Sequence, residues 1–191
     1  FGTNGSVNAG WNIGLTSKYN GGASLNYRNK NINIFSNYSF GYTPNKQNIG
    51  IKRTVLDSIF DEKGTIKDLR RTHNFKVGAD YFINKKSTIG LMVNGILSDP
   101  TSTVDNKTLI SNVTTNTVNR ILVAHNDNKM KRHNANINLN YNYADGKGKS
   151  FVVNADRGAY DLDNNQLQPN YYYDASGQTE ISRIIYRIIS P

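Results

Sequence analysis

The sequence has no cysteine anywhere in its 191 residues. That excludes disulfide frameworks, thiol catalysis and cysteine-based metal sites. No stretch approaches the roughly 20 consecutive apolar residues of a spanning helix, so a membrane crossing, if there is one, is made by strands. The sequence starts abruptly at Phe1 with no signal-peptide pattern in it, and the expectation is a processed or excised piece. Acidic residues are outnumbered by basic ones, giving a net charge of +9. The basic residues sit at connections and not in one stripe: Arg28 and Lys30, Lys52 and Arg53, Arg70 and Arg71, Lys85 and Lys86, Lys129 to Arg132, Lys147 and Lys149. With no recognisable binding module, nucleic acid is not an expected partner; anionic head groups or lipopolysaccharide are.

Enzyme signatures are also missing. Gly146 to Ser150 ends like a phosphate-binding loop, but Tyr143 stands where that motif requires glycine. Asp161, Asp163, Asn164 and Asn165 are a run of oxygen donors without the glycine and terminal glutamate of an EF-hand loop. His73, His125 and His133 are widely separated, with no His-x-x-x-His pair, and no nucleophile elbow is present. The expectation is a protein without catalytic residues, metal or cofactor.

What the chain has in excess is asparagine, 29 residues. From Asn134 to Tyr143 asparagine alternates strictly with Ala135, Ile137, Leu139, Tyr141 and Tyr143. Successive side chains of a strand point to opposite faces, so the segment has one amide face and one apolar face. The device recurs: Val7, Ala9, Trp11, Ile13 and Leu15 alternate with serine, asparagine and glycine, as do Ala23, Leu25 and Tyr27. Such alternation, with aromatics near the strand ends, is the pattern of a barrel wall in lipid. It predicts an all-β, antiparallel transmembrane barrel in which Trp11, Leu25, Tyr38, Val77, Ile137 and Leu139 face lipid. Asn8, Asn26, Asn136 and Asn138 then face the lumen.

Strands are expected near 5–15, 19–28, 32–42, 72–83, 88–98, 129–144 and 150–160, with an eighth starting after 178. Arg120 to Ala124 is an upstream extension of the sixth, and Val55, Leu56, Ile59 and Phe60 form a small turn of helix. The connections alternate long and short: Thr43 to Arg71, Asp99 to Asp127 and Asp161 to Gln178 against turns at Asn29, Asn84 and Asp145. Short periplasmic turns and longer extracellular loops have this rhythm. In the last long loop, Tyr171, Tyr172, Tyr173 and Asp174 are the candidate ligand contact, because aromatic faces with hydroxyl tips and a nearby acid grip sugars or peptides.

Several segments resemble, in order, the TonB-dependent receptor-like outer-membrane β-barrel family of Gram-negative bacteria. They are Gly2 to Gly10, Tyr19 to Arg28, Phe35 to Ser39, His73 to Tyr81 and Gln168 to Tyr173. The resemblance implies the N-terminal part of a larger, 22-stranded barrel with the plug absent, located in the cell outer membrane. It further implies substrate uptake, with outer-membrane lipid and lipopolysaccharide around the wall. A TonB-type energy-coupling protein would act through missing parts of the parent chain, and a surface lipoprotein or other complex subunits are further partners. The alternatives are a non-transporting structural or assembly subunit of an outer-membrane complex, a self-contained eight-stranded barrel, and a soluble β-sandwich adhesin. Pro191, at the boundary of the last strand, speaks against the self-contained barrel.

Overall fold

The computed structural model describes residues 1–190, and Pro191 lies outside them. Nine strands make one antiparallel sheet: β1 (Gly2–Asn12), β2 (Lys18–Arg28), β3 (Ile32–Val55), β4 (Ser58–Phe82), β5 (Ser87–Ser98), β6 (Thr101–Asn112), β7 (Val118–Ala144), β8 (Ser150–Tyr173) and β9 (Glu180–Ser190). The lateral order is β1-β2-β3-β4-β5-β7-β8-β9, and β6 stands above β5, pairing β4 and β7. β5 and β6 are two halves of one path. Only Asp99 and Pro100 separate them, and the ladder passes through the break, with the Asp99 N–H donating to the Arg71 carbonyl and the Met130 N–H to the Pro100 carbonyl.

Several expectations need correction. The long connections are not loops: Thr43 to Arg71 is the upper half of the β3–β4 hairpin, paired without a break from Thr43↔Arg70 to Val55↔Ser58. Asp99 to Asp127 is largely β6 and the upper half of β7, and Asp161 to Tyr173 completes β8. The expected turn of helix at Val55 to Phe60 is a tight turn at Leu56 and Asp57, with Leu56 at φ 51°. Two-residue hairpins need such backbone conformations to match the twist of their strands. β1 runs Gly2–Asn12 and not 5–15, because pairing with β2 closes at Asn12↔Lys18. The expected extension through Arg120 to Ala124 is present in β7.

The turns explain where the strands reverse. At one end Asn29 Oδ1 accepts from the Asn31 and Ile32 N–H groups, Asn84 Oδ1 from Lys86, and Asp145 Oδ1 from Lys147 and Lys149. These side chains mimic a backbone turn, which is why Asn and Asp are found there. Gly146 and Gly148 adopt φ of 71° and 98° in the last of them. At the other end, Asn112 Oδ1 accepts from Thr114 and Thr115.

The sheet has almost no dry interior. Among the described residues Ile121 and Ala124 are the buried hydrophobic ones, and no large side chain is fully buried. All nine strands belong to one sheet, unlike the two packed sheets of a sandwich, and β1 and β9 are not paired with each other.

Candidate functional site

Directly paired residues of an antiparallel sheet share a face, so the register assigns every strand position to one of two surfaces. Trp11 pairs with Tyr19 and Tyr19 with Tyr42; Tyr38 pairs with Phe75, Ser36 with Val77, and Val93 with both Val77 and Ile137. Trp11, Leu25, Tyr38, Val77, Ile137 and Leu139 therefore lie on one face. Asn8, Asn26, Asn136 and Asn138 lie on the other.

Across the lower sheet the first face is an apolar band. Its rows include Leu25, Ser36, Val77, Val93 and Ile137, then Tyr27, Ile34, Ala79, Leu91, Leu139 and Ala155. Aromatics border it on both sides. Trp11, Tyr19 and Tyr42 form the upper row, with the Tyr19 and Tyr42 rings 5.8 Å apart and the Arg71 guanidinium 5.8 Å from the Tyr42 ring. Tyr27, Tyr81, Tyr141 and Tyr143 form the lower border. The band is uncovered: Trp11 is 65 % exposed and Leu139 48 %. Arg157, paired with Ile137, interrupts it on the outermost column, where β8 has no further neighbour because β9 pairs only from Asn164 upward.

The opposite face is an amide lattice. Asn26 Nδ2 donates to Asn33 Oδ1 at 3.1 Å and Asn33 Nδ2 to Asp80 Oδ2 at 3.1 Å. Asn138 Nδ2 donates to Asp156 Oδ1 at 2.7 Å, and Asn140 Nδ2 to Asn138 Oδ1 at 3.3 Å. Asparagine can donate and accept without charge, so neighbouring columns satisfy one another. The ring of Phe35 lies over Gly78 on this face, where a Cβ at Gly78 would clash with it.

Above the upper aromatic row both faces are mixed. The face that was apolar now carries Lys46, Lys67, Asp105, His125 and Lys107, while Ile49, Ile51, Ile66, Val104, Ile110 and Leu122 lie on the face that was polar. Asp105 is the centre of the charged group: His125 Nδ1 is 2.6 Å from its Oδ1 and Lys67 Nζ 3.7 Å from its Oδ2. The hydrogen bond from His125 outweighs the opposing effect of desolvation, and with the charges of His125 and Lys67 it holds the Asp105 carboxyl below the usual range. Neither this group nor Arg157 was singled out in the sequence. Lys67, Asp105 and His125 lie on three different strands, and only the register brings them together.

The tyrosine cluster is not brought together. Tyr171 and Tyr173 occupy one face of β8 and Tyr172 the other, as the period of two requires. The Arg183 guanidinium lies 5.9 Å from the Tyr171 ring. Asp174 organises the β8–β9 turn, accepting from the Ser176 hydroxyl at 2.7 Å and the Gln178 N–H at 3.2 Å, and these bonds lower its pKa, Ser176 foremost. His73 and His133 flank Leu97 in one row while His125 lies higher beside Asp105; His73 Nδ1 is 2.7 Å from the Tyr38 hydroxyl and His133 Nε2 is 2.9 Å from Asp99 Oδ1. Asp161 is paired with Lys131, and among the described residues no group of three His, Cys, Asp or Glu side chains is placed to hold a metal.

Compared with protein-family models and with curated proteins, the chain matches none. Among the described residues no helix is long and apolar enough to cross a membrane.

Proposed function

We propose that this chain is part of the wall of an outer-membrane β-barrel in a TonB-dependent receptor-like protein, and that the wall serves substrate uptake. The carrying observation is the end of the apolar face at the upper aromatic row. Below it one face is apolar and uncovered; above it the same face is mixed and carries charged groups. A soluble sheet would keep its apolar side inward along the whole strand. A wall passing from hydrocarbon to water needs an outward surface that changes where the solvent changes. The scale is compatible: Tyr19 to Tyr27 spans about 27 Å at ~3.4 Å per residue, hence roughly 20 Å of height at a tilt near 40°.

In this reading the amide face lines the lumen, the turns at Asn29, Asn84 and Asp145 are periplasmic, and the upper hairpins project outside. The uptake reading predicts that deleting the energy-coupling segment of the parent protein abolishes substrate uptake while leaving the barrel assembled. Unchanged uptake would shift the reading to a structural subunit of an outer-membrane complex. The upper hairpins favour that second reading in one respect: β3, β4, β6, β7 and β8 continue as one paired sheet far above the band, a broad surface for a protein partner.

A further inference from the structure

Among the described residues no ion pair includes a charged side chain of the amide face; Lys67 with Asp105, Lys129 with Asp127 and Lys131 with Asp161 all join residues of the opposite surface. On the amide face the carboxylates take neutral donors instead: Asp80 from Asn33, Asp156 from Asn138, Glu62 from Asn106, and Asp68 from the Ser102 hydroxyl at 2.6 Å. Its cations Arg28, Lys76 and Arg53 lie over the rings of Phe82, Phe35 and Phe60. Arg70 and Arg132, both exposed, have neither a carboxylate nor a ring.

These two arginines converge. β5 and β6 keep one register on either side of their break, with Ser98 between Thr72 and Arg132 and Thr101 between Leu69 and Lys129, so Pro100 falls between Arg70 and Met130. Arg132 starts one row lower, and its Nη2 reaches up to Met130 Sδ at 3.5 Å, into the row of Arg70. At ~4.8 Å per strand and ~3.4 Å per residue the two Cα positions are roughly 12 Å apart, within reach of two arginine side chains turned toward one another. The compact Pro100 leaves the space between them open. A groove of about 310 Å³ lies there, lined by Asp68, Arg70, Pro100, Ser102, Met130 and Arg132. Two guanidinium groups face one carboxylate in it, and that carboxylate is engaged by Ser102.

We propose that this groove is an oxyanion site, in which Arg70 and Arg132 together take a carboxylate or phosphate group of the solute that the barrel carries, so that its substrate is anionic. Guanidinium holds either group through two parallel N–H···O bonds, and an anion between two such heads offsets their repulsion. The face decides the source. Both side chains lie on the surface that continues downward through Asn134, Asn136 and Asn138, not on the apolar band, so the ligand arrives through the lumen and not from surrounding lipid. Arg70 and Arg132 flank in sequence and register the row of Tyr42 and Arg71, which places the groove at the outer mouth, where an entering solute first meets the wall. That the anion is a transported solute rests on the uptake reading above; the anion chemistry rests on the arginines alone.

The test uses the intact parent protein purified in detergent and the arginine reagent phenylglyoxal, with the labelled peptides read by mass spectrometry. Succinate and inorganic phosphate are the probes; sodium chloride at the same ionic strength and sucrose are the controls. Succinate, phosphate or both should slow labelling of Arg70 and Arg132 together and leave Arg157, on the opposite face, unchanged, and the probe that acts tells carboxylate from phosphate. This measurement needs no variant to fold. In the Arg70→Gln protein the remaining Arg132 should need about tenfold more probe for the same protection, from the loss of one charge-assisted pair of bonds. No slowing by either probe, equal slowing at Arg157 or by chloride, or unchanged protection of Arg132 in the Arg70→Gln protein would overturn the proposal. So would arginines already unreactive without a probe, since another part of the protein would then fill the groove. Protection in a parent whose uptake survives deletion of the energy-coupling segment would sink the uptake reading alone; energised uptake without protection would sink this site alone.

Discussion

At the scale of single residues, identity matters through the face a position occupies. Leu139 and Asn138 are neighbours in sequence but lie on opposite surfaces, one beside Leu91 in the apolar band and one bonded to Asp156. In a bilayer, Leu139→Arg should cost about 2–4 kcal/mol if its row lies near the midplane, and Asn138→Arg much less. Folding titrations into liposomes should rank them so; equal costs, or the reverse order, would refute the assignment of faces. Gly78 is a second sensitive position. Valine there meets the Phe35 ring and, at 3.0 Å, the Leu91 carbonyl, and overpacking of that kind should cost about 1–3 kcal/mol. Asp105 makes a prediction about pH. Its carboxyl is held below the ordinary value of 3.8, so it contributes stability above that value and loses it as pH falls through the folded-state pKa. Its side chain is 50 % exposed, which limits the contribution to about 1 kcal/mol or less. Asp105→Asn should therefore lower stability at neutral pH by about 1 kcal/mol or less and flatten the acid limb of a stability profile below about pH 4.

At the scale of strands and turns, legibility followed solvent. In the lower sheet one surface is apolar and one polar, so alternation marked β2, β5 and the lower parts of β3, β4, β7 and β8, and it assigned their faces in agreement with the register. In the upper hairpins both surfaces carry polar residues: Lys46, Gln47 and Asn48 follow one another in β3, and Asp105, Asn106 and Lys107 in β6. Periodicity disappears there although the ladder continues, because backbone hydrogen bonds need no particular side chain. Those segments read as loops for that reason. The arginine pair was equally hidden, since Arg70 and Arg132 meet only through the register of β4 and β7 with the strand between them. Tyrosine clustering misled in the opposite sense: adjacency along a strand separates side chains. Among the turns, Leu56 is the residue least suited to its position, with a positive φ and 92 % exposure. Leu56→Asn should stabilise the β3–β4 hairpin by about 0.5–1 kcal/mol, because asparagine tolerates the left-handed region that leucine resists. Slower amide hydrogen exchange at Val55 and Ser58 would bear this out, and faster exchange would count against it.

At the scale of the whole molecule, the open sheet is the decisive property. β1 pairs only with β2, and the lower half of β8 has no outer neighbour. Each unpaired backbone group in hydrocarbon costs several kcal/mol, so a sheet with two such edges cannot sit in a bilayer until further strands close it. Arg157 stands on the outermost column, where β8 has no further neighbour among the described residues. The 191-residue segment expressed alone should aggregate or stay unfolded in detergent. A heat-resistant, protease-protected monomer would instead show that this chain closes on itself, and the larger barrel would be the wrong parent. Within an intact parent the two ends of the sheet should differ in access. Cysteines placed one at a time at Leu56, Thr115 and Ser176 should react with an impermeant maleimide on whole cells, whereas cysteines at Lys30, Lys85 and Lys147 should react only after the outer membrane is breached. Reaction at both ends with the membrane verified intact would reject the arrangement, and protection at both ends would place the upper hairpins inside an assembly, which is the outcome the structural-subunit reading requires.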